Sequence, residues 1–459
     1  MKVKELYLQN FRSFAALHIQ FDPLLTVIVA ENGVGKTSVL DAIAIAFGRL
    51  LTKLPKIKGV SIKDTDLRML EREKRAPFVH YWMHVADFAG QSIQWSNGKK
   101  RDSSDKTRKE ILASILDSEK FKAGYKQIDQ FADSLIDKHN SDEGYYMPVV
   151  AYYGTNRAII DEVQRRRNFR KEYSRFESLV SALNPNARFK EVFEWFNAME
   201  DLERRKQQEQ KDFEYTLPEL NAVRRAIESM LPGFSRPRTE IRPLRFVIDR
   251  TLNDGSTRTF RIGQLSDGYR VMLGLVMDLA RRLAQANPPY EHDTGEGWDI
   301  TDPLDSPAIV LIDEVDLHLH PSWQQCVLGD LRRTFRNAQF IVSTHSPQVL
   351  TTVKAECIRG LKSVDGKIVV KDDYQFSEGA EAQLALEDIL GVSPRPQGLD
   401  VVKQLNAYLD LVASDQWDSD TAAELRKTLD AWGRGHETAL LKADMDIRMR
   451  QYRRNQGGA

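Results

Sequence analysis

Residues 30–38 read Ala-Glu-Asn-Gly-Val-Gly-Lys-Thr-Ser, a stretch that leaves a chain few ways to fold. The apolar run before it, Leu24–Val29 (LLTVIV), has the length of a buried strand, and Val39–Phe47 (VLDAIAIAF) follows with helical spacing and no breaker. Strand, glycine-containing loop, Gly-Lys-Thr and helix make the setting in which loop N–H groups and a helix N-terminus bind phosphate. In that setting Ala30, Glu31, Asn32, Gly33, Val34, Gly35 and Ser38 would surround the phosphates of a nucleotide, and Lys36 would reach its β- and γ-phosphates. The Thr37 hydroxyl would hold Mg²⁺. Ala30 stands where the usual pattern has glycine, and its methyl narrows the conformations open to the first loop residue.

Two further stretches fit the same chemistry. Pro307–Glu314 (PAIVLIDE) sets Asp313 and Glu314 at the C-terminal end of an apolar strand, the edge at which open α/β sheets bind ligands. Asp313 there can share the Mg²⁺ with Thr37, and Glu314 can polarise an attacking water as general base. The plainer alternative is an acidic pair that only ends a strand. Gly263–Arg270 (GQLSDGYR) opens a helix at Ser266, Asp267 and Gly268, where orphan N–H groups favour an anion. An ordinary N-cap is the alternative there.

The rest of the chain is read around these points. Lys2–Leu8 and Leu17–Phe21 read as strands about a turn, and Phe78–Val85 with Ser92–Ser96 as a hairpin. Asn97–Lys109 is read as an exposed basic loop or helix start, Glu110–His139 as helix, and Pro148–Tyr153 as a short buried strand. Thr155–Leu231 is largely helical, and Phe189–Phe213 within it is too short for a coiled-coil arm, about 35–40 Å. Pro232–Pro243 is read as a connector, and Leu244–Leu252 with Thr257–Ile262 as a hairpin. Ile309–Ile312 and Gln339–Val342 fit central parallel strands joined by a helix near Trp323–Thr334. Surface-type helices follow Gly398, with a disordered end at Arg453–Ala459. Lys+Arg and Asp+Glu are 66 each, so any nucleic-acid contact rests on local basic runs. Of these, Arg165, Arg166, Arg167, Arg170 and Lys171 stand out because Phe169 and Tyr173 accompany them. The other basic runs are Lys99–Arg101, Arg204–Lys206 and Arg448–Arg454. Two cysteines, no signal-peptide pattern and no membrane-length apolar run fit a cytoplasmic protein that engages no membrane.

Taken in order, Asn-Gly-x-Gly-Lys-Thr, Leu-Ser-x-Gly, Ile-Asp-Glu-x-Asp-x-His-Leu-His-Pro and Ser-Thr-His-Ser-Pro resemble the motifs of ABC-type ATPases of the SMC/RecF/OLD group. The opening Leu8–Phe14 (LQNFRSF) resembles their first strand. The resemblance covers about residues 1–51 and 246–353 and implies an α/β fold: an ABC/SMC-type P-loop ATPase head, mixed and parallel sheet with flanking helices, with a helical insertion and a helical C-terminal tail. It implies ATP and Mg²⁺ as cofactors, and Lys36, Glu314 and a switch histidine, His345, as catalytic groups. It also implies that Leu265, Ser266, Asp267, Gly268 and Tyr269 form a signature acting on the nucleotide of a second copy. Val315–Leu317, with Asp316, would be the loop crossing that interface, and Arg12 would approach the phosphates. The glutamine of the usual Q-loop is not identifiable, although Tyr153–Arg157 (YGTNR) stands near its place. His318, His320 and His345 invite a zinc reading, but the Leu-His-Pro setting fits the same superfamily extension and no further ligand has suitable spacing.

Four segments are expected: 1–154 with the P-loop and an insertion, a helical subdomain 155–243, a second head lobe 244–398, and a helical segment 399–459. Asp444-Met-Asp446 has nuclease letters but sits in a terminal helix without a sheet, so it reads as a solvated face. Glu387–Arg395 (EDILGVSPR) and the medium length resemble stand-alone ATPases of bacterial defence loci, the Septu type (PtuA) among them. That resemblance implies a homo-oligomer built on shared ATP sites that regulates a separate HNH-type nuclease in antiviral defence. The alternatives are a RecF-like DNA repair clamp and a nucleotide-sensing scaffold with little turnover.

Overall fold

The computed structural model describes residues 1–70, 74–101, 121, 123–158, 173–185, 189–241, 244–289 and 301–456. They form two compact units, Met1–Ala385 and Leu386–Ala459. In the first, β1 (Lys2–Phe11), β2 (Phe14–Gln20) and β3 (Leu25–Ala30) lead into α1 (Lys36–Lys53). Next come β4 (Phe78–Ala86), β5 (Ser92–Lys100), α2 (Lys126–Asn140), β6 (Val149–Tyr153), α3 (Phe189–Gln210) and α4 (Pro218–Met230). Strands β7 (Phe234–Ile241), β8 (Leu244–Thr251) and β9 (Thr257–Arg261) precede α5 (Asp267–Ala286) and β10 (Ala308–Ile312). The unit ends with α6 (Val327–Thr334), β11 (Ala338–Ser343), β12 (Ile358–Val364) and β13 (Lys367–Lys371), helices under eight residues being left unnumbered.

A six-stranded sheet in the order β13-β12-β3-β11-β10-β6 carries the site. β12, β3, β11, β10 and β6 run parallel, and β13 closes the edge antiparallel. β6, β10 and β11 are buried at every position, the pattern of strands covered on both faces. A four-stranded antiparallel sheet, β2-β1-β4-β5, packs beside it, and α1 contacts strands of both sheets. This is the mixed-sheet P-loop ATPase head expected from the motifs.

Some sequence expectations need correction. Pro232–Pro243 is no simple connector, because β7 occupies Phe234–Ile241 and pairs with β8. Pro237 is tolerated because β7 is the edge of the sheet β7-β8-β9 and its register shifts between Ser235 and Arg238. Lys99 and Lys100 belong to β5 rather than to a loop, paired opposite Val79 and Phe78. The expected helix Glu110–His139 is seen only from Lys126 onward, since most of its first half lies outside the described residues, as do Arg165, Arg166, Arg167, Arg170 and Lys171.

Helix α5 is buried along nearly its whole length, Asp278, Arg281 and Arg282 included. Such charges survive out of water only when paired. Arg281 donates to Asp278 Oδ1 at 2.7 Å and Arg282 Nε to Oδ2 at 2.6 Å. Burial works to raise the Asp278 carboxyl, but the charges of Arg282 and Arg281 prevail and hold it at about 2.

The second unit packs α7 (Asp400–Ala413), α8 (Asp420–Gly433) and α9 (Thr438–Gln456) around Leu405, Tyr408, Val412, Leu429 and Leu440. Helix α9 runs through Arg453, which was expected to be disordered. Asp444 is half-buried, with Met445 and Asp446 exposed beside it, and Arg426 of α8 grips both its oxygens and ties two helices together. Among the described residues no helix is long and apolar enough to cross a membrane.

His80 of β4 is 1% exposed, and its Nε2 hydrogen-bonds the Phe121 carbonyl at 3.0 Å. Burial lowers its pKa to about 4 against that hydrogen bond. The unfolded chain therefore binds the extra proton between pH 6.5 and 4, so this stability is complete above pH 6.5 and lost on acidification. From pH 7 to 5, denaturant titration should show the protein losing about 2 kcal/mol more than its His80→Gln variant.

Candidate functional site

The sheet order decides which loops meet. β11 lies between β3 and β10, so the carboxyl ends of three strands present Ala30–Ser38, Asp313–Glu314 and Thr344–His345 side by side. Thr37 Oγ1 donates to Asp313 Oδ2 at 2.8 Å, joining residues 276 positions apart in the chain. Ser343 Oγ donates to Asp313 Oδ1 at 2.5 Å and accepts from the Glu314 N–H at 2.8 Å. Thr344 Oγ1 donates to Asp316 Oδ1 at 2.5 Å. Ser343 and Thr344 were visible in the sequence only as the letters before His345, and their partners follow from β10–β11 pairing.

Glu314 has φ +48°, the left-handed region in which a residue with a side chain is strained. Its N–H bond to Ser343, and the Val315 N–H on the Ser343 carbonyl at 3.0 Å, hold it there. The chain thus turns sharply after β10 and keeps Glu314 beside Asp313.

Lys36 is buried, with Nζ on the carbonyls of Ala30 (3.1 Å) and Glu31 (3.4 Å), so it braces its own loop. Burial lowers its pKa, opposed by Asp313, Glu314 and Asp316. Burial and then the Lys36 charge lower His345, opposed by Glu314, Asp316 and Asp313, so its imidazole is neutral at pH 7. These shifts place Lys36, His345 and the three carboxylates in one electrostatic cluster.

Helix α1 begins at Lys36 with no side chain capping its N-terminus. Its first N–H groups lack intrahelical acceptors, and an anion suits that end. The donor set therefore fits a nucleotide with its metal: uncapped N–H groups and Lys36 for phosphate, and hard oxygens of Thr37 and Asp313 for Mg²⁺.

Arg12 occupies the flank of this loop with φ +47°. It binds Asp41 of α1 and Asp66 at 2.5 and 2.9 Å, and the neighbouring Ser13 hydroxyl donates to the Val34 carbonyl at 3.1 Å. These carboxylates prevail over burial and raise the Arg12 pKa. Asp41 and Asp66 were not singled out from the sequence.

The segment Leu265–Tyr269 sits elsewhere in the protomer. Leu265 is buried, Ser266 is the backbone N-cap of α5, and Asp267 pairs with Arg270. A Cβ on Gly268 would lie 2.6 Å from the His318 carbonyl, so only glycine lets the helix approach that chain. Tyr269 meets the Trp323 ring edge-on at 4.5 Å. None of these contacts is with Ala30–Ser38. His320 caps the short helix Pro321–Gln324 through Ser322, and among the described residues no His/Cys/Asp/Glu group could hold a metal by itself. Each of the other basic runs has a paired member: Lys99 with Asp64, Arg204 with Asp201 and Arg450 with Asp415 and Asp446.

A family model described as an AAA domain matches residues 5–232. Among curated proteins, the chain is 27% identical to "Retron Ec83 probable ATPase" of Escherichia coli, over 98% of this chain and 87% of that one. It is 24% identical to "Septu protein PtuA" of Bacillus mycoides, over 80% of this chain and 40% of the relative. Among solved structures, the "SMC head domain from Thermotoga maritima" aligns over 81% of this chain and 98% of that one, at 18% identity and a TM-score of 0.41. The resemblance drawn from the ordered motifs is supported: the chain matches an AAA-domain model and is similar to a retron probable ATPase and a Septu PtuA protein.

Gly33 and Gly35 separate two constraints on the loop. Gly33 has φ +81° with open space around it, whereas Gly35 has φ +128° and a Cβ there would lie 2.6 Å from Phe14 Cζ. Thermal unfolding without nucleotide should show Gly33→Ala costing about 1 kcal/mol and Gly35→Ala more than about 2 kcal/mol. Equal costs would contradict the packing of the β1–β2 turn on the loop.

Proposed function

We propose that this SMC/RecF-like ATPase binds and hydrolyses ATP between two copies of the chain and, through that cycle, regulates a separate HNH-type nuclease in antiviral defence. The observation that carries the first half is the hydrogen-bonded line Thr37–Asp313–Ser343–Glu314, which brings loop, acid pair and switch strand to one point. Bound Mg²⁺ would neutralise charge on the β- and γ-phosphates. On this reading Lys36 leaves the Ala30 and Glu31 carbonyls for phosphate oxygens, and Thr37 and Asp313 hold the metal. Glu314 takes a proton from the attacking water, whose oxygen bonds to the γ-phosphorus as the β–γ bridge breaks, giving ADP and phosphate. Neutral His345 donates a hydrogen bond to the γ-phosphate. Arg12 adds a cation at the flank of the loop.

The second copy supplies the missing side of the site. None of the contacts described above joins Leu265–Tyr269 to its own loop, and Ser266 and Asp267 are exposed at the start of α5, where they would meet a partner's nucleotide. Val315–Leu317 would cross to the second copy, with Asp316 two residues before the His318 carbonyl that Gly268 approaches. Any nucleic-acid contact is assigned to Arg165, Arg166, Arg167, Arg170 and Lys171. The separate nuclease follows from the resemblance to stand-alone ATPases of defence loci, and Asp444 of this chain is paired with Arg426.

Light scattering and phosphate release test the reading together. Lys36→Ala should lose both ATP-dependent dimerisation and turnover. Glu314→Gln should lose turnover by about 10²- to 10⁴-fold while accumulating an ATP-loaded dimer. Unchanged turnover in Glu314→Gln would leave the nucleotide-sensing scaffold as the correct reading.

A further inference from the structure

Tyr153, the last residue of β6, touches both halves of the site just described. Its carbonyl accepts the Asp313 N–H at 2.8 Å, which fixes the backbone under the carboxylate that meets Thr37. Its ring is 1% exposed, and its hydroxyl donates to Asp278 Oδ2 at 3.0 Å. Asp278 belongs to α5, the helix whose first turn carries Asp267, Gly268 and Tyr269. A single residue, through its backbone carbonyl and its hydroxyl, therefore connects the end of the β10 strand to the signature helix.

The rest of the cluster makes this connection stiff. Arg282 shares Asp278 Oδ2 and also donates to the Ser178 and Val180 carbonyls at 2.5 and 3.1 Å. The same segment runs along β6: the Tyr152 N–H reaches the Ala182 carbonyl at 2.8 Å and the Gly154 N–H the Pro185 carbonyl at 2.9 Å. Strand β6, residues 178–185 and α5 are thus held as one block by directional bonds in a dry interior, where polar networks define geometry rather than add much stability. A helix is rigid over the roughly 16 Å from Asp278 to its first turn. A small tilt at Asp278 moves Ser266 and Asp267.

We propose that Tyr153 is a positioning residue that couples occupancy of a protomer's own P-loop to the orientation of its own signature helix, and through it to the nucleotide of the second copy. The coupling rests on the shared-site reading above. Nucleotide on Lys36, Thr37 and Asp313 bears on the Asp313 backbone, Tyr153 carries the displacement to Asp278, and α5 presents its N-terminus accordingly. Neither site then closes independently of the other.

Hydrogen exchange with mass spectrometry tests this within one protomer, in a Ser266→Arg background that cannot engage a partner's nucleotide. Mg-ATP should slow exchange at residues 30–38 and also in the first turns of α5. Adding Tyr153→Phe, which leaves Asp278 its two arginines, should keep protection at 30–38 and abolish it in α5. Equal α5 protection with and without the hydroxyl, or none in the Ser266→Arg parent, overturns the coupling. Loss of protection at residues 30–38 in the parent would overturn the nucleotide reading and the coupling together, a recognisably different result. With the native signature, Tyr153→Phe should lower kcat on the order of tenfold and bring a sigmoidal ATP dependence to a hyperbolic one, with ATP affinity little changed. Unchanged kcat and cooperativity would refute the coupling, because a merely structural hydroxyl moves neither.

Discussion

The Thr37–Asp313 hydrogen bond is the contact on which the site depends. It joins the first turn of α1, which follows β3, to the end of β10, although β11 lies between β3 and β10 in the sheet. Ser343, at the end of β11, closes the gap by giving its hydroxyl to Asp313 and taking the Glu314 N–H. That one serine lets Glu314 remain in a left-handed conformation, a cost that the surrounding ladder bears. Around this line Lys36 and His345 share the field of three carboxylates, which opposes the lowering of both groups by burial.

Local signals in the sequence reached far into this arrangement. The loop was legible because Gly-Lys-Thr between an apolar strand and an unbroken helix has few other uses, and Asp313–Glu314 because the strand before it is wholly apolar. What escaped was non-local. Tyr153 and Asp278 are 125 positions apart, and each alone looks like an ordinary core aromatic and an ordinary helix-face acid. Asp41 and Asp66 gain meaning only once the β1–β2 turn brings Arg12 between them. Strand β7 was hidden by Pro237, whose missing N–H is harmless only at a sheet edge with a register shift, and sequence does not announce edges.

The basic runs show how charge is spent. Arg450 clasps the end of α7 through the Val412 and Ala413 carbonyls, Arg426 binds Asp444, and Arg281 and Arg282 surround one buried carboxylate. In this chain, with equal numbers of acidic and basic residues, many arginines act as cross-links inside the fold. The buried Tyr153–Asp278–Arg282 group differs from the surface pairs in what its geometry reaches: one end is the β10 turn and the other helix α5, which begins at Asp267.

On this account Ala30–Ser38 is half of a nucleotide site, and Leu265–Tyr269 of another copy is the other half. Mixing two inactive variants tests that claim most directly. Lys36→Ala retains an intact signature and Ser266→Arg an intact P-loop, so each alone should be inert. A head-to-tail pair of one of each contains one complete site, and the mixture should recover phosphate release, rising with the fraction of mixed dimer. A mixture as inert as its components, or a Ser266→Arg protein fully active by itself, would contradict the shared site.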